Sequence, residues 1–322
     1  MDHKAIHAVI ADDFSAVNDT IHQQLVSNVP MVEKIADHII SSGGKRLRPM
    51  IVLLAAGLTN SQHEKQHQLA TVIEFLHTAT LLHDDVVDTS ELRRGKPTAN
   101  AQWGNAASVL VGDFLYARSF ELLVKIGHLD VMNTLSSTTR KIAEGEVLQL
   151  TNVRNPDTSE EKYLEVIMGK TAILFQACGE CAGLIANVPV AQCKALADFG
   201  LHLGLAFQLI DDVLDYSGEA EKLGKNVGDD LAEGKPTLPI IHAMEKSNEV
   251  ERKLIRTCIR KGSLDQIDEI IQIMKNHGSL DYTIAQAESH AIKAKQALNV
   301  FPDSIFKEAM CALADLSVKR DS

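Results

Sequence analysis

The chain has 322 residues, 45% of them hydrophobic and 4% aromatic, and its 43 acidic against 32 basic side chains give a formal net charge of −11. This length permits one large domain or two average ones, with enough material for a sizeable core. The acidic balance and the lack of any basic tract argue against a nucleic-acid partner, because binding to a phosphate backbone rests on lysine and arginine. No stretch approaches the roughly 20 apolar residues of a membrane span, and Met1-Asp2-His3-Lys4 leads into no signal-peptide core. A cytoplasmic protein without a transmembrane segment is expected, its five irregularly spaced cysteines reduced.

Long stretches rich in Ala, Leu, Ile, Glu, Lys and Gln favour helix over strand. Apolar residues recur at helical spacing, no run reads as a clear strand, and no composition break divides the chain, so a single all-α domain over 1–322 is expected. Pro30 starts one helix, Ser41-Ser42-Gly43-Gly44 is a loop, and Pro49 sits where a first helical turn accepts it. A long helix runs from near Ser61 to about Asp88, followed by a polar turn from Thr89 to Pro97. Further helices are predicted over Ala106 to Gly127, Asp130 to Val153, Thr158 to Ala186 and Val190 to Tyr216. Asp157-Thr158-Ser159-Glu160-Glu161 supplies the cap and acidic first turn that a helix start favours. The loop from Ser217 to Lys235 is rich in glycine and charge, and shorter amphipathic helices follow it, broken at Gly262, Gly278 and Pro302.

One motif occurs twice: Asp84-Asp85-Val86-Val87-Asp88 and Asp211-Asp212-Val213-Leu214-Asp215. On a helix, Asp84 and Asp88 lie about 40° apart on one face, with Asp85 beside them. A single such motif is more often a solvated helix end than a metal site. Two copies in apolar sequence, the second preceded by Phe207-Gln208-Leu209-Ile210, shift that balance, because uncompensated carboxylates are expensive to bury. Hard divalent ions take a few carboxylates and fill their remaining positions with water and substrate phosphate, so two facing claws suggest a metal-bridged diphosphate. Gly43-Gly44-Lys45-Arg46-Leu47-Arg48-Pro49 places three cations behind a flexible loop before a helix, a fair phosphate cradle. Arg93-Arg94-Gly95-Lys96 adds cations beyond the first claw, and Lys170, Lys225 and Lys235 add more in the second half. Carboxylates beside separate basic residues suggest two phosphorylated ligands, one bound through metal and one directly.

Other patterns carry less. His63-Glu64-Lys65-Gln66-His67 has zinc-protease spacing without a third ligand in context, and Glu74-Phe75-Leu76-His77 is half of a di-iron signature without its second half. Cys178-Gly179-Glu180-Cys181 has redox spacing inside a helix, where core thiols are the plainer reading. Gly169-Lys170-Thr171 lacks the first glycine of a P-loop, where Leu164 stands.

In six motifs, in order from Gly43 to Pro236, the chain resembles the trans-isoprenyl diphosphate synthases, in particular their long-chain bacterial type. The motifs are residues 43–49, Leu81-Leu82-His83-Asp84-Asp85-Val86-Val87-Asp88 running on to Arg93-Arg94-Gly95, Gly112-Asp113-Phe114-Leu115, residues 169–171, residues 207–215, and residues 224–231 with Gly234-Lys235-Pro236. The resemblance implies a large helical bundle around a central cavity, the isoprenoid synthase fold, and a homodimer. It implies condensation of isopentenyl diphosphate onto an allylic diphosphate such as farnesyl diphosphate, giving an all-trans polyprenyl diphosphate, octaprenyl by this likeness, for a quinone side chain. Two or three Mg²⁺ ions held by Asp84, Asp88 and Asp211, supported by Asp85, Asp212 and Asp215, would neutralise the departing diphosphate. Arg93, Lys170, Lys225 and Lys235 would clamp it. Lys45, Arg48, His77 and Arg94 would hold isopentenyl diphosphate without metal, and Thr171 and Gln208 would aim oxygens at the allylic cation. Ala79 and Thr80, one helical turn before Asp84, would let a growing chain pass, with Leu123 and Leu135 as a deeper floor. A class I terpene cyclase is the competing enzyme class, but both acidic motifs are intact. A non-catalytic subunit of a heteromeric synthase would usually have lost one motif or the Lys45 and Arg48 cradle. Other medium or long products, geranylgeranyl to nonaprenyl, stay open.

Overall fold

The structure is a computed structural model that describes residues 1–61, 63–217 and 227–319. The chain begins with α1 (His3–Val9), α2 (Ala11–Gln24), α3 (Pro30–Ile40), α4 (Leu47–Leu58) and α5 (Glu64–Val87), followed by strands β1 (Leu92–Arg93) and β2 (Lys96–Pro97). Next come α6 (Ala99–Trp103), α7 (Asn105–Ile126), α8 (Leu129–Asn152) and α9 (Glu160–Ile167), which continues through a π-helical turn, Met168–Ala172, into α10 (Ile173–Ile185). Then follow α11 (Val190–Asp215), α12 (Asp229–Ala232), α13 (Leu238–Lys246), α14 (Glu249–Lys261), α15 (Ile267–Asn276), α16 (Ser279–Ala297) and α17 (Ile305–Val318).

Local chemistry accounts for many of these ends. Pro30 opens α3, Ser159 accepts the Lys162 amide at the start of α9, and Gly127 in left-handed conformation closes α7. α14 has a complete capping box between Asn248 and Glu251 and stops at left-handed Gly262. Two features depart from the sequence reading. The turn after α5 contains a hairpin pairing Leu92 with Pro97 and Arg93 with Lys96, closed by Arg94 and Gly95, both at positive φ. Such a two-residue turn matches strand twist, but strands of two residues leave no alternation to read. The helix expected over Thr158 to Ala186 is broken by the π turn at Met168–Ala172.

The described residues form two compact units. The first takes Met1–Thr139, Leu174–Gly200 and Lys295–Leu313. Within it α5 packs on α2, α4 and α7 around buried Ile51, Leu54, Phe75, Leu82, Leu115 and Phe199. Gly179 and Gly200 let the backbones of α10 and α11 meet, since a Cβ at either would come 2.1 Å from a carbonyl oxygen, that of Leu196 or of Phe175. The second unit takes Arg140–Ile173, Leu201–Ala294 and the described part of Ala314–Ser322. One of its cores joins Leu205, Leu209, Leu214, Leu238 and Ile241, and another joins Leu231, Ile240, Ile255, Ile259, Ile270 and Met274.

Contrary to the expectation from composition, one described helix, α11, is long and apolar enough to cross a membrane. Its most apolar 18-residue window is 61% buried, so packing against the protein's own core accounts for its apolarity.

Candidate active site

Both acidic motifs sit at the C-terminal ends of long helices. Asp84 and Asp85 occupy the last turn of α5 and Asp88 is its C-cap; Asp211 and Asp212 lie in the last turn of α11, which ends on Asp215. Neither turn holds a basic residue. The helix dipole places partial negative charge at these ends, so carboxylates here are held against the field and a cation would be stabilised.

In the first unit Asp85 is buried, 1% exposed, and its Oδ1 accepts from Arg93 Nε at 2.9 Å and Nη2 at 2.7 Å. Its Oδ2 is buried with no hydrogen-bond partner, while Asp84 and Asp88 are half-buried. Arg93, expected on the leaving group, is thus anchored by Asp85 through Nε and Nη2 while its side chain stays 31% exposed. His83, between the motif and α7, approaches Val109 O at 3.2 Å and Asp113 Oδ1 at 3.3 Å. A Cβ at Gly112 would lie 2.4 Å from His83 Nε2, which gives the Gly112-Asp113 pair a steric role the sequence did not reveal.

The same unit gathers cations. Gly43 and Gly44 at positive φ, and Arg46 at φ 42°, bend the loop into α4. The Arg94 guanidinium lies on Gly44, where any Cβ would meet Nη1 at 2.5 Å. Arg48 Nη1 stands 3.1 Å from His77 Nε2 and its guanidinium lies 4.3 Å over the Phe175 ring. Burial, and then the Arg48 and Arg94 charges, hold His77 well below the usual imidazole range, so its Nε2 lone pair accepts from Arg48. Burial lowers Arg48 to about 10. Glu74 is pushed up by burial, against the pull of Arg46, Arg48 and Arg94; Arg46 Nε lies 3.8 Å away. Three arginines around one buried acid leave a positive excess suited to a polyanion. Lys45 is exposed at the edge of this loop. Ala79, Leu123 and Leu135 are at most 1% exposed and Thr80 is half-buried, its hydroxyl donating to His77 O at 2.7 Å.

In the second unit a cleft of about 690 Å³, counted to its open mouth, is lined by Gln149, Tyr163, Lys170, Thr171, Gln208, Asp212, Asp230 and Lys235 among others. The π turn presents Lys170 and Thr171 to it. That distortion has a neighbour: a Cβ at Gly145 of α8 would sit 2.8 Å from Lys170 N and 2.9 Å from Gly169 C, so the glycine admits the widened turn. Lys170 Nζ donates to Glu146 Oε2 at 2.8 Å and Gln149 Oε1 at 2.9 Å, and Lys235 Nζ lies 2.6 Å from Glu233. Thr171 Oγ1 donates to Gln208 Oε1 at 3.0 Å, Gln208 Nε2 to Asp212 Oδ1 at 2.8 Å, and the Tyr163 hydroxyl to Asp212 Oδ2. Burial first, then Asp230, pushes Asp212 well above the usual carboxylate range; burial and Asp212 likewise raise Tyr163. Asp215 is structural as well as acidic, accepting the Asp230 amide at 3.2 Å through Oδ2 and the Gly228 amide at 2.8 Å through its carbonyl. Lys225 lies outside the described residues. Gly145, Glu146, Gln149 and Tyr163 have no sequence signal as site residues, because only long-range packing brings them to the motifs; Glu74, three residues before His77 on α5, was visible only as half of a di-iron pattern, and the structure surrounds it with arginines instead.

Among the described residues no three carboxylate, imidazole or thiol groups stand arranged as a complete metal cage. The donor set instead fits a hard divalent ion that draws one or two carboxylates from the protein and the rest from water and phosphate. In the first unit the orphaned Asp85 Oδ2, and in the second the carboxylate crowding at Asp212, are each a feature that an ion bound in that unit would relieve.

Residues 29–275 match the family model described as Polyprenyl synthetase. The octaprenyl diphosphate synthase of Escherichia coli K12 is 49% identical over 322 residues, all of both chains. The all-trans-nonaprenyl-diphosphate synthase (geranyl-diphosphate specific) of Rhodobacter capsulatus is 47% identical over 98% of this chain and 97% of its own. A polyprenyl synthase from Caulobacter crescentus CB15, crystallised with calcium and isoprenyl diphosphate, superposes with a TM-score of 0.96 at 44% identity, covering 100% of this chain and 98% of that one. The fold is the one those synthases share, and the chain belongs to the polyprenyl synthetase family of prenyltransferases.

Proposed function

We propose that this protein is an all-trans octaprenyl diphosphate synthase that adds isopentenyl diphosphate units to an allylic diphosphate such as farnesyl diphosphate, supplying a quinone side chain. The observation that carries this reading is end-to-end identity of 49% with an octaprenyl diphosphate synthase. Isopentenyl diphosphate binds at the arginine-rich loop, where Arg48 and Arg94, with Lys45 at the rim and neutral His77 behind Arg48, offer donors to its phosphates. Asp84, Asp88 and Asp211 are the residues that would hold Mg²⁺, two or three ions in all, with Asp85, Asp212 and Asp215 in support. When bound, Mg²⁺ supplies Lewis-acid neutralisation of the departing diphosphate.

The allylic C–O bond breaks, its electron pair leaving with diphosphate, and the double bond of isopentenyl diphosphate attacks the allylic carbon to form the new C–C bond. Arg93, Lys170, Lys225 and Lys235 stabilise the leaving charge, and Thr171 Oγ1 and Gln208 Oε1 face the carbocation. Holding both reactants in place makes the attack effectively intramolecular. Loss of a proton to the released diphosphate restores the double bond. Small Ala79 and Thr80 let the product lengthen toward Leu123 and Leu135. The reading includes a cytoplasmic homodimer, which sedimentation equilibrium tests.

Purified protein given farnesyl diphosphate, isopentenyl diphosphate and Mg²⁺ should yield a product of octaprenyl mass, with synthesis abolished by EDTA and restored by excess Mg²⁺. Failure to elongate, or elongation indifferent to EDTA, would remove the proposal. A nonaprenyl mass would overturn the chain length alone.

A further inference from the structure

Asp212 is 2% exposed and both of its oxygens are engaged, Oδ2 by the Tyr163 hydroxyl and Oδ1 by the Gln208 amide N–H at 2.8 Å. Gln208 spends its other amide atom on Thr171, whose Oγ1 donates to Oε1 at 3.0 Å. The two ends of a glutamine amide are nearly equal in size and opposite in hydrogen-bonding sense, so its partners decide which way it faces. Tyr163, 4% exposed on α9, occupies Oδ2 and holds the Asp212 carboxyl group in place. Oδ1 is then the acceptor offered to Gln208, which must turn its N–H₂ toward Asp212 and its carbonyl toward Thr171. Flipping the amide would set Oε1 against Oδ1.

We propose that Tyr163 is a positioning residue that, through Asp212, fixes the Gln208 amide with its carbonyl oxygen paired to Thr171 on the wall of the cleft. This rests on the prenyl-transfer reading: a carbonyl oxygen aimed at an allylic cation stabilises it, whereas the N–H end would oppose it. Thr171 and Gln208 already have a place in that chemistry; the buried Tyr163 phenol on α9, eight residues before Thr171 and 45 before Gln208, sets their orientation.

The test is a mutant cycle on elongation of farnesyl diphosphate with Mg²⁺. Tyr163→Phe keeps the ring and deletes the donor, and kcat should fall about tenfold while the KM values for both diphosphates stay within about twofold, the signature of an interaction made in the transition state. Gln208→Leu removes both ends of the amide. If Tyr163 acts through Gln208, adding Tyr163→Phe to Gln208→Leu costs nothing further in kcat. Losses that multiply in the double variant, or a rise in KM with kcat unchanged, would overturn the positioning role. Should Tyr163→Phe not fold, Tyr163→Leu, which also deletes the donor and leaves Asp212 intact, replaces it in the same cycle with the same expectation. Wild-type protein in the same assay separates the two levels: no elongation there removes the prenyl-transfer reading and this inference with it, whereas wild-type elongation with multiplicative losses removes the positioning role alone.

Discussion

Arg48 shows how much of the site is set by single side chains. Its flat guanidinium stacks on Phe175 and donates to His77, a combination that an ammonium on a flexible stem cannot reproduce. Arg48→Lys should raise KM for isopentenyl diphosphate at least tenfold with a smaller change in kcat, measured by steady-state kinetics with the allylic substrate saturating. Asp85 works differently, because it is the buried anchor of Arg93. Asp85→Asn leaves that arginine without its anion, and with Arg93 31% exposed the loss falls below that of a fully buried pair, at about 2 kcal/mol in a urea titration. The aspartates and arginines themselves were legible as chemistry, since three carboxylates in apolar sequence demand a cation. Their partners were not: Tyr163 stands 49 residues from Asp212, and no spacing rule connects them.

Helices position these groups through where they end and how closely they approach. Gly145 is the contact point of α8 with the π turn that carries Lys170 and Thr171. Gly145→Ala would drive a methyl group into that backbone, and overpacking of this kind costs about 1–3 kcal/mol. The expected outcome is a lower melting temperature together with a kcat loss of tenfold or more, read by calorimetry and kinetics on the same preparation. On α5, Ala79 lies five residues before Asp84 and is 1% exposed. Under the proposed function Ala79→Tyr shortens the product, and mass analysis showing an unchanged chain length would remove Ala79 from that role. Helix bounds such as Asn105–Ile126 and Val190–Asp215 came within a residue or two of the reading from spacing and caps. α1 and α2 were not read from the sequence, although Asp2 caps α1 by accepting the Ala5 amide at 2.8 Å; α2 has no side-chain cap at Ile10 to mark its start.

For the whole molecule, acid is the condition that its histidines resist least. Burial depresses His77, and burial with His202 and Lys293 lowers His290 to about 4, while the unfolded chain titrates near 6.5. Between those values the unfolded state binds the extra protons at these two histidines, so their contribution to stability is full above about pH 6.5 and declines as pH falls toward 4, while Glu74 and Asp212, raised by burial, contribute with the opposite sign. His290→Gln should therefore shift the urea midpoint at pH 5 upward relative to that at pH 7; an unchanged relation between the two midpoints would count against His290 as a contributor. Along the chain alone, the helical class, the bounds of α3, α5, α7, α8 and α11, and the pair of acidic motifs with their cationic loops were legible. These follow from local propensity, capping and the cost of burying charge, all of which act within a few residues of chain. Only the tertiary structure decided that Arg93 answers Asp85, that Gly145 admits a π turn, and that Tyr163 holds Asp212. The last two contacts join residues distant in sequence, and their energy exists only once packing has closed the loops between them; Arg93 reaches Asp85 across eight residues, through a hairpin too short to read.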